Sequence, residues 1–386
     1  MRILIVYDCL FPHTIGGAER WYRNLAERLA ADDHDVTYLT LRQWARGERA
    51  DVTGVTVRTA GPRLALYAEG GRRRIAPPLV FGAGVLVHLL RHGRSYDVVH
   101  TASFPYFSLL AAGLLRRAQG YRLVVDWHEL WSRDYWREYL GPVGGRIGWG
   151  VQALGLRLRQ RAFCFAELTA ARLRAEGVRG EVSVLSGEYA GSLATPTPQP
   201  ARPEVVFAGR HIPEKRVPAL VDAFAALRER APELRLTIYG DGPERGEVLA
   251  RIERLGLAAV ARAPGFVGAQ EVEHGLAHAL CMVLPSRREG YGLVVVEAAA
   301  RGVPSVVVAD PDNAATELVD EGDNGYIARS ASPEDLADAI LRVRAAGPDL
   351  RARTAAWFEG NAQRLSLTSS LDRVAAVYDG AASARS

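Results

Sequence analysis

The chain has 386 residues, enough for two or three domains with their own cores, and its 48% apolar and 24% charged content is that of an ordinary globular protein. The net charge of +4 comes from 48 basic and 44 acidic residues scattered together through helical stretches, which argues against a nucleic-acid-binding protein. Cys9, Cys164 and Cys281 are odd in number, sit within or beside apolar runs and form no CxxC pair, so they predict buried free thiols in a reducing compartment and no zinc site.

In chain order, short β-branched runs alternate with amphipathic helical patterns, which predicts an α/β protein with parallel, doubly wound sheets. The first run, Arg2–Tyr7, ends beside an acid and lacks the long apolar stretch of a signal peptide. A cytosolic protein is expected, with peripheral contact at the inner membrane face left open. A helix beginning near Ala18 carries Trp21, Leu25 and Leu29 at four-residue spacing, one buried stripe. Further strands are predicted at Asp35–Leu39, Val55–Arg58, Val98–His100, Arg122–Asp126, Cys164–Glu167 and Val182–Leu185. A first domain over residues 1–190 follows. Ser192–Pro203 has four prolines in twelve positions and no periodicity, so residues 191–203 are expected to form a semi-rigid extended linker. The alternation then resumes over 204–347, with strands at Glu204–Ala208, Leu234–Tyr239, Gly265–Val267, Cys281–Leu284 and Ser305–Val308 and a helix at Pro218–Arg230. Residues 348–386 are mostly helical and are expected to pack back toward the first domain.

Ligands of open α/β sheets bind outside the carboxyl ends of the strands, and the polar clusters of this chain fall there. Among the 48 basic residues the single lysine is Lys215, in Phe207-Ala-Gly-Arg-His-Ile-Pro-Glu-Lys-Arg216. A guanidinium and a compact ammonium are not interchangeable, and Arg210 with Lys215 reads as a clamp for a diphosphate. No GxxxxGK[ST] occurs and no GxGxxG follows the first strand, which argues against a Walker-type NTPase and a dinucleotide oxidoreductase. Gly240-Asp-Gly-Pro243 reads as a turn. The densest cluster is Leu284-Pro-Ser-Arg-Arg-Glu-Gly-Tyr-Gly-Leu-Val-Val-Val-Glu297, a strand, a glycine-bearing loop and a helix. Glu289 lies in the loop and Glu297 in the second helical turn, leaning toward the helix N-terminus, so both carboxylates are placed to accept hydrogen bonds from ligand hydroxyls.

The GRxxxEK segment and the two glutamates eight positions apart closely resemble the retaining glycosyltransferases of family 4, which have the GT-B fold of two Rossmann-like domains facing across a cleft. Gly16-Gly-Ala-Glu-Arg20, after the first strand, is similar to that family's N-terminal glycine loop. The resemblance implies a nucleotide-sugar donor, a UDP- or GDP-sugar, held mainly by the second domain, with the acceptor entering from the first. By motif position, Arg210 and Lys215 would bind the diphosphate, Glu297 the ribose and Glu289 the donor-sugar hydroxyls. The amides of Gly290, Tyr291, Gly292 and Leu293 would line sugar and phosphate, Phe266 and Val267 would lie beside the nucleobase, and Gly16 and Gly17 would close on the diphosphate. His128, ending the strand Leu123-Val-Val-Asp-Trp-His, matches a histidine that faces sugar and acceptor, with Asp126 as the residue that orients it or caps the next turn. His100 is read as structural. The implied chemistry is displacement at the anomeric carbon with retention, the leaving phosphate helping to deprotonate the acceptor; no metal and no cofactor is required. Two departures from the family pattern, Leu185-Ser-Gly-Glu-Tyr189 and the Ala309–Glu317 loop, bear on domain closure and sugar preference.

The acceptor stays open between a small glycoside, a natural-product aglycone and a lipid-linked glycan. Four of seven tryptophans lie between Trp127 and Trp149, either lining an acceptor groove or packed on their own domain. Arg72–Arg74 followed by Ile75–Phe81 reads as a solvated loop or a contact with anionic lipid. The alternative functions are a GT-B enzyme that hydrolyses or epimerises a sugar nucleotide, and a non-catalytic GT-B partner subunit.

Overall fold

A computed structural model describes residues 1–45, 47–66 and 74–383. Arg72 and Arg73, part of the basic run noted above, lie outside the described residues. The chain divides into two compact units, Met1–Leu185 with Leu371–Ser386, and Ser186–Ser370.

The first unit is built on strands β1 (Arg2–Val6), β2 (Asp35–Leu41), β3 (Thr56–Gly61), β4 (Val98–Ala102), β5 (Arg122–Trp127), β6 (Gln160–Cys164) and β7 (Gly180–Val184). Its helices are α1 (Gly17–Ala31), α2 (Ala76–His92), α3 (Tyr106–Gln119), α4 (Arg133–Arg157) and α5 (Glu167–Ala175). The strands form one parallel sheet in the order β3-β2-β1-β4-β5-β6-β7. A parallel sheet covered on both faces needs strands apolar on both sides, and Ile3, Leu4, Ile5 and Val6 are all fully buried. Helix α1 turns Trp21, Leu25 and Leu29 inward as the sequence spacing requires, together with Tyr22.

The second unit contains β8 (Glu204–Ala208), β9 (Arg235–Tyr239), β10 (Ala261–Gly265), β11 (Cys281–Leu284), β12 (Arg288–Glu289), β13 (Ser305–Val308), β14 (Asp312–Asn313) and β15 (Gly325–Ala328). Its helices are α6 (Val217–Arg228), α7 (Arg245–Arg254), α8 (Ala269–His278), α9 (Leu293–Ala299) and α10 (Pro333–Leu365). Six strands form a parallel sheet, β10-β9-β8-β11-β13-β15, and β12 pairs with β14 alone. Helix α11 (Leu367–Ser383) belongs to the first unit from Leu371 onward. The two sheets and their helices make the GT-B fold class.

Two strand expectations need correction. The strand expected over Cys164–Glu167 is Gln160–Cys164, because the apolar Phe165 and Ala166 lead into α5 instead of extending the ladder. The strand expected over Gly265–Val267 is Ala261–Gly265, and Phe266 and Val267 follow it as loop. Strand β15 carries a glycine and only one β-branched residue, and the sequence reading passed it over. The proline-rich stretch Ser192–Pro203 lies within the second unit as irregular chain, with Thr195 Oγ1 donating to Glu359 Oε1 at 2.8 Å. Among the described residues, no helix is long and apolar enough to cross a membrane.

Candidate functional site

In the second unit β8 is the first strand in sequence, β9 and β10 add on one side, and β11, β13 and β15 add on the other. The order therefore reverses between β8 and β11, and the loops leaving those two strands diverge to opposite sides and open a crevice. Arg210 follows β8, and Lys215 closes a single 3-10 turn, Pro213–Lys215, before α6. Glu289 follows β11, in the short strand β12. The side chains meet there: Lys215 Nζ donates to Glu289 Oε1, with 19% and 10% of the two side chains exposed. Ser286 Oγ donates to the same carboxylate oxygen at 2.7 Å, and Arg287 N donates to Glu214 O at 2.8 Å. An ammonium has three N–H donors and a carboxylate about four acceptor positions, so the pair keeps capacity for a ligand on both partners. Arg210 is exposed at the same strand end.

The Glu289 loop is held from behind by Asn313, a residue the sequence reading did not single out. Its Nδ2 donates to Ser286 O at 3.2 Å and to Val308 O at 2.9 Å, while its Oδ1 accepts from Ala315 N at 3.1 Å. In register, β12 sets Glu289 opposite Asn313 and Arg288 opposite Asp312. The available signal was an Asn between a strand and a helical turn, where its short amide competes for backbone groups. Gly292 takes φ +100° ahead of α9, and a Cβ there would lie 2.6 Å from Ala315 Cβ, so conformation and space both demand glycine. Gly290 and Leu293 are half-buried around it, and Glu297 lies half-buried in the second turn of α9. Val295 and Val296 are buried, and Val294 is half-buried. Tyr291 is buried and donates its hydroxyl to Ser186 O at 2.7 Å, and burial raises its phenol pKa. That side chain is committed to packing, which leaves its backbone amide as the group to offer. Phe266 is 77% exposed after β10, beside a half-buried Val267.

In the first unit the strand order reverses between β1 and β4. The loop leaving β1 leads to Gly16 and Gly17 at the start of α1; Gly17 is exposed, with open space where a Cβ would stand. His128 follows β5 and stacks on Phe165, ring centroids 4.8 Å apart and planes 3° from parallel. Burial lowers its pKa, opposed by the nearby Asp126 and Glu129, so the neutral imidazole is favoured. Its Nε2 is buried and has no hydrogen-bond partner among the described residues.

Asp126 does not hydrogen-bond to His128 as expected. It accepts from Trp21 Nε1 at 2.7 Å and pairs with His100 Nε2 at 2.8 Å, and His100 Nδ1 meets Tyr378 OH at 2.5 Å. Burial alone would raise the Asp126 pKa; His100 and His128 beside it and the hydrogen bonds from His100 and Trp21 together outweigh it and leave a net lowering. His100 is thus a fully buried link between sheet and C-terminal helix, consistent with a structural part. The tryptophan-rich segment packs on its own unit. Trp127 and Trp136 are buried, Gln152 Oε1 accepts from Trp136 Nε1 at 3.1 Å and from Tyr106 OH at 2.8 Å, and Arg133 covers Trp149 at 3.9 Å. Among the described residues, no group of three or more His, Cys, Asp or Glu side chains is placed to share a metal ion.

Two family profiles divide the chain between them: Glycosyltransferase Family 4 matches residues 15–187 and Glycosyl transferases group 1 matches residues 195–356. The chain belongs to glycosyltransferase family 4, a family of retaining hexosyltransferases. It is 28% identical over 393 aligned positions to the glycogen synthase of Mycobacterium tuberculosis, covering 96% of this chain and 91% of that one. It is 30% identical to the alpha-D-kanosaminyltransferase of Streptomyces kanamyceticus over 46% of this chain, a match spanning 45% of that protein's length. In structure it resembles sucrose-phosphate synthase from Thermosynechococcus elongatus, with a TM-score of 0.80, 19% identity and 99% of both chains covered. It also resembles Anabaena Alr3699/HepE, solved in complex with UDP-glucose, with a TM-score of 0.71, 18% identity and 98% and 100% coverage.

Proposed function

We propose that the protein transfers a hexosyl group from a UDP- or GDP-sugar to an acceptor hydroxyl with retention of anomeric configuration. The observation that carries this reading is the Lys215–Glu289 pair at the switch point of the second sheet, with Arg210 exposed beside it. In the transfer, the bond from the anomeric carbon to the diphosphate breaks and the bond to the acceptor oxygen forms on the same face. The acceptor proton passes to an oxygen of the departing diphosphate. The main electrostatic task is then to stabilise the charge that grows on that leaving group, for which Lys215 is held in place by Glu289 and Arg210 is exposed at the same strand end. Arg210 would supply a forked donor and Lys215 the remaining N–H donors of its ammonium. Glu289, held by Ser286, would accept from sugar hydroxyls, and Glu297 from the ribose. Backbone amides over Gly290–Leu293 would line sugar and phosphate, and the exposed Phe266 with Val267 would lie against the base. In the first unit we assign Gly16 and Gly17 to the diphosphate and His128, with its unpartnered Nε2, to the sugar and acceptor hydroxyls. UDP is supported by the complex of the fold neighbour with UDP-glucose.

Thermal stabilisation by a panel of UDP-, GDP-, TDP- and ADP-sugars, with NAD as control, tests the donor site, since a ligand bound only by the folded state raises apparent stability with its concentration over Kd. A shift confined to one nucleotide class and lost in Lys215→Ala is expected. No shift with any nucleotide in a folded sample would overturn the assignment. Proton NMR of the first product formed separates retention from inversion.

A further inference from the structure

We infer that the layer formed by α2, α3 and α4 of the first unit is a docking surface for an anionic lipid bilayer. The inference is independent of the sugar-transfer reading.

The argument starts from what these helices leave outside. The connections β3–α2–β4, β4–α3–β5 and β5–α4–β6 all run in the same direction across the sheet, so right-handed crossovers place α2, α3 and α4 on one face. Their inner sides are fully committed. Gly82 lies so close to Phe107, Gly84 to the Ala60 carbonyl and Gly113 to Leu158 that a Cβ at any of them would clash. Phe81, Val85 and Leu89 fill the core below. The outer sides nonetheless carry large apolar side chains: Leu79 (47% exposed), Val87, Leu90, Val143 (69%), Ile147 (64%) and Leu154. Counting Ile75 at the start of α2, ten of the fifteen exposed large apolar side chains among the described residues belong to these three helices. Val143, Ile147 and Leu154 follow helical spacing past the Gly141 break in α4, with Gly150 between them, so they form one stripe. Scattered exposed apolar residues need no explanation, whereas a concentrated set marks an interaction surface.

Charge identifies the occupant. No Asp or Glu occurs between Glu69 and Asp97, between Asp97 and Asp126, or between Glu138 and Glu167. Beyond Asp134 and Glu138 at the start of α4, the helical layer presents Arg91, Arg94, Arg117, Arg146 and Arg157, all exposed, with no acid among them. By contrast the outer side of α1 mixes signs, pairing Arg23 with Glu27 and Arg28 with Asp32. A second copy of the chain seated on this layer would set arginines against arginines with only Asp134 and Glu138, in the first turns of α4, to meet them. A nucleic acid would satisfy the arginines but leave the leucines, valines and isoleucines against a polar backbone. An anionic bilayer satisfies both, taking apolar side chains below the headgroups while the guanidinium groups reach lipid phosphates.

The test is flotation of the purified full chain with vesicles of phosphatidylcholine alone and of an equimolar phosphatidylcholine–phosphatidylglycerol mixture. Binding to the mixed vesicles that weakens with added salt is expected. The double substitution Val143→Glu with Ile147→Glu should reduce it roughly tenfold or more, by removing two inserted side chains and adding two repelled charges. Both positions are exposed, so folding should be kept, and an unchanged melting temperature and unchanged nucleotide-induced shift verify this. Failure to float with either vesicle overturns the inference. So does flotation unaffected by the double substitution, which would place the lipid contact elsewhere. A concentration-dependent dimer that this substitution dissociates, without vesicle binding, would assign the surface to a second copy instead.

Discussion

Lys215 matters because of what the chain does elsewhere with positive charge. Forty-eight basic positions include one lysine, and it is the one whose ammonium meets Glu289 at the sheet's switch point. A guanidinium at that position would be longer and planar, and it could not form the same contact with Glu289 while presenting donors to a diphosphate. We expect Lys215→Ala to lower kcat by about 100- to 1000-fold, the loss typical when one preorganised donor to a developing anion is removed. Lys215→Arg should restore only a small part of that loss, although it keeps the charge. Steady-state release of the nucleoside diphosphate, read for both variants, makes the comparison. Recovery by arginine to near the parent rate would mean that charge alone is used there and that the special place of lysine is an accident of composition.

At the scale of elements, two helices are broken by the same dipeptide. Gly141-Pro142 interrupts α4 and Gly347-Pro348 interrupts α10, with glycine φ values of 75° and 60° and ψ values of 178° and −152°. Proline disfavours helical geometry in the residue before it, and these φ and ψ combinations are open essentially to glycine alone. Open space lies around the Cβ position of Gly347, so the cost of Gly347→Ala is backbone strain without a clash. It should destabilise the protein by about 1–3 kcal/mol. Gly360→Ala, in the same helix at an exposed position with equally open space, should stabilise by about 0.4–1 kcal/mol. Denaturant melts of the two variants should move in opposite directions; equal shifts would show that the break is not set by glycine. Of the two breaks, the sequence reading marked the one at Gly347-Pro348, by taking Pro348 as the start of a helical segment, and did not mark the one at Gly141-Pro142. The β-branched strands were legible too, since a buried parallel strand must be apolar on both faces. Ala261–Gly265 was not, because Ala-Arg-Ala-Pro-Gly has little β preference and is held by its neighbour β9. In the candidate site, Lys215 and Glu289 were legible from their motifs. The support from Asn313 was not, since it depends on β12 pairing with β14, a contact made by the folded loop. Asp126 was singled out with the wrong partner for a similar reason. In the β4–β5 register His100 stands opposite Val124, so Asp126 reaches it as a diagonal neighbour on the same face. No local pattern distinguishes that imidazole from His128.

For the whole molecule, the consequential fact is that the first unit is discontinuous in sequence while the second is one run, Ser186–Ser370. The first unit is closed by α11, whose Tyr378 is fully buried with its hydroxyl on His100 Nδ1, in the chain that continues through Asp126 to Trp21. Tyr378→Phe removes one hydroxyl and leaves a buried imidazole nitrogen without its partner. That costs about 1–3 kcal/mol, because the desolvation of the orphaned group is no longer offset. In a unit of this size the corresponding drop in melting temperature is about 2–4 °C for each kcal/mol. Chains of two domains need not unfold in one step, so the unit that loses this stability can be distinguished from the other. Calorimetry of the parent and the variant, each with and without a saturating nucleotide, supplies the distinction. If nucleotide is held mainly by the second unit, it should raise one transition while Tyr378→Phe lowers the other. Movement of the same transition by both would place the nucleotide on the unit that contains Tyr378 and reverse the assignment of Arg210, Lys215, Glu289 and Glu297 as the main donor-binding set.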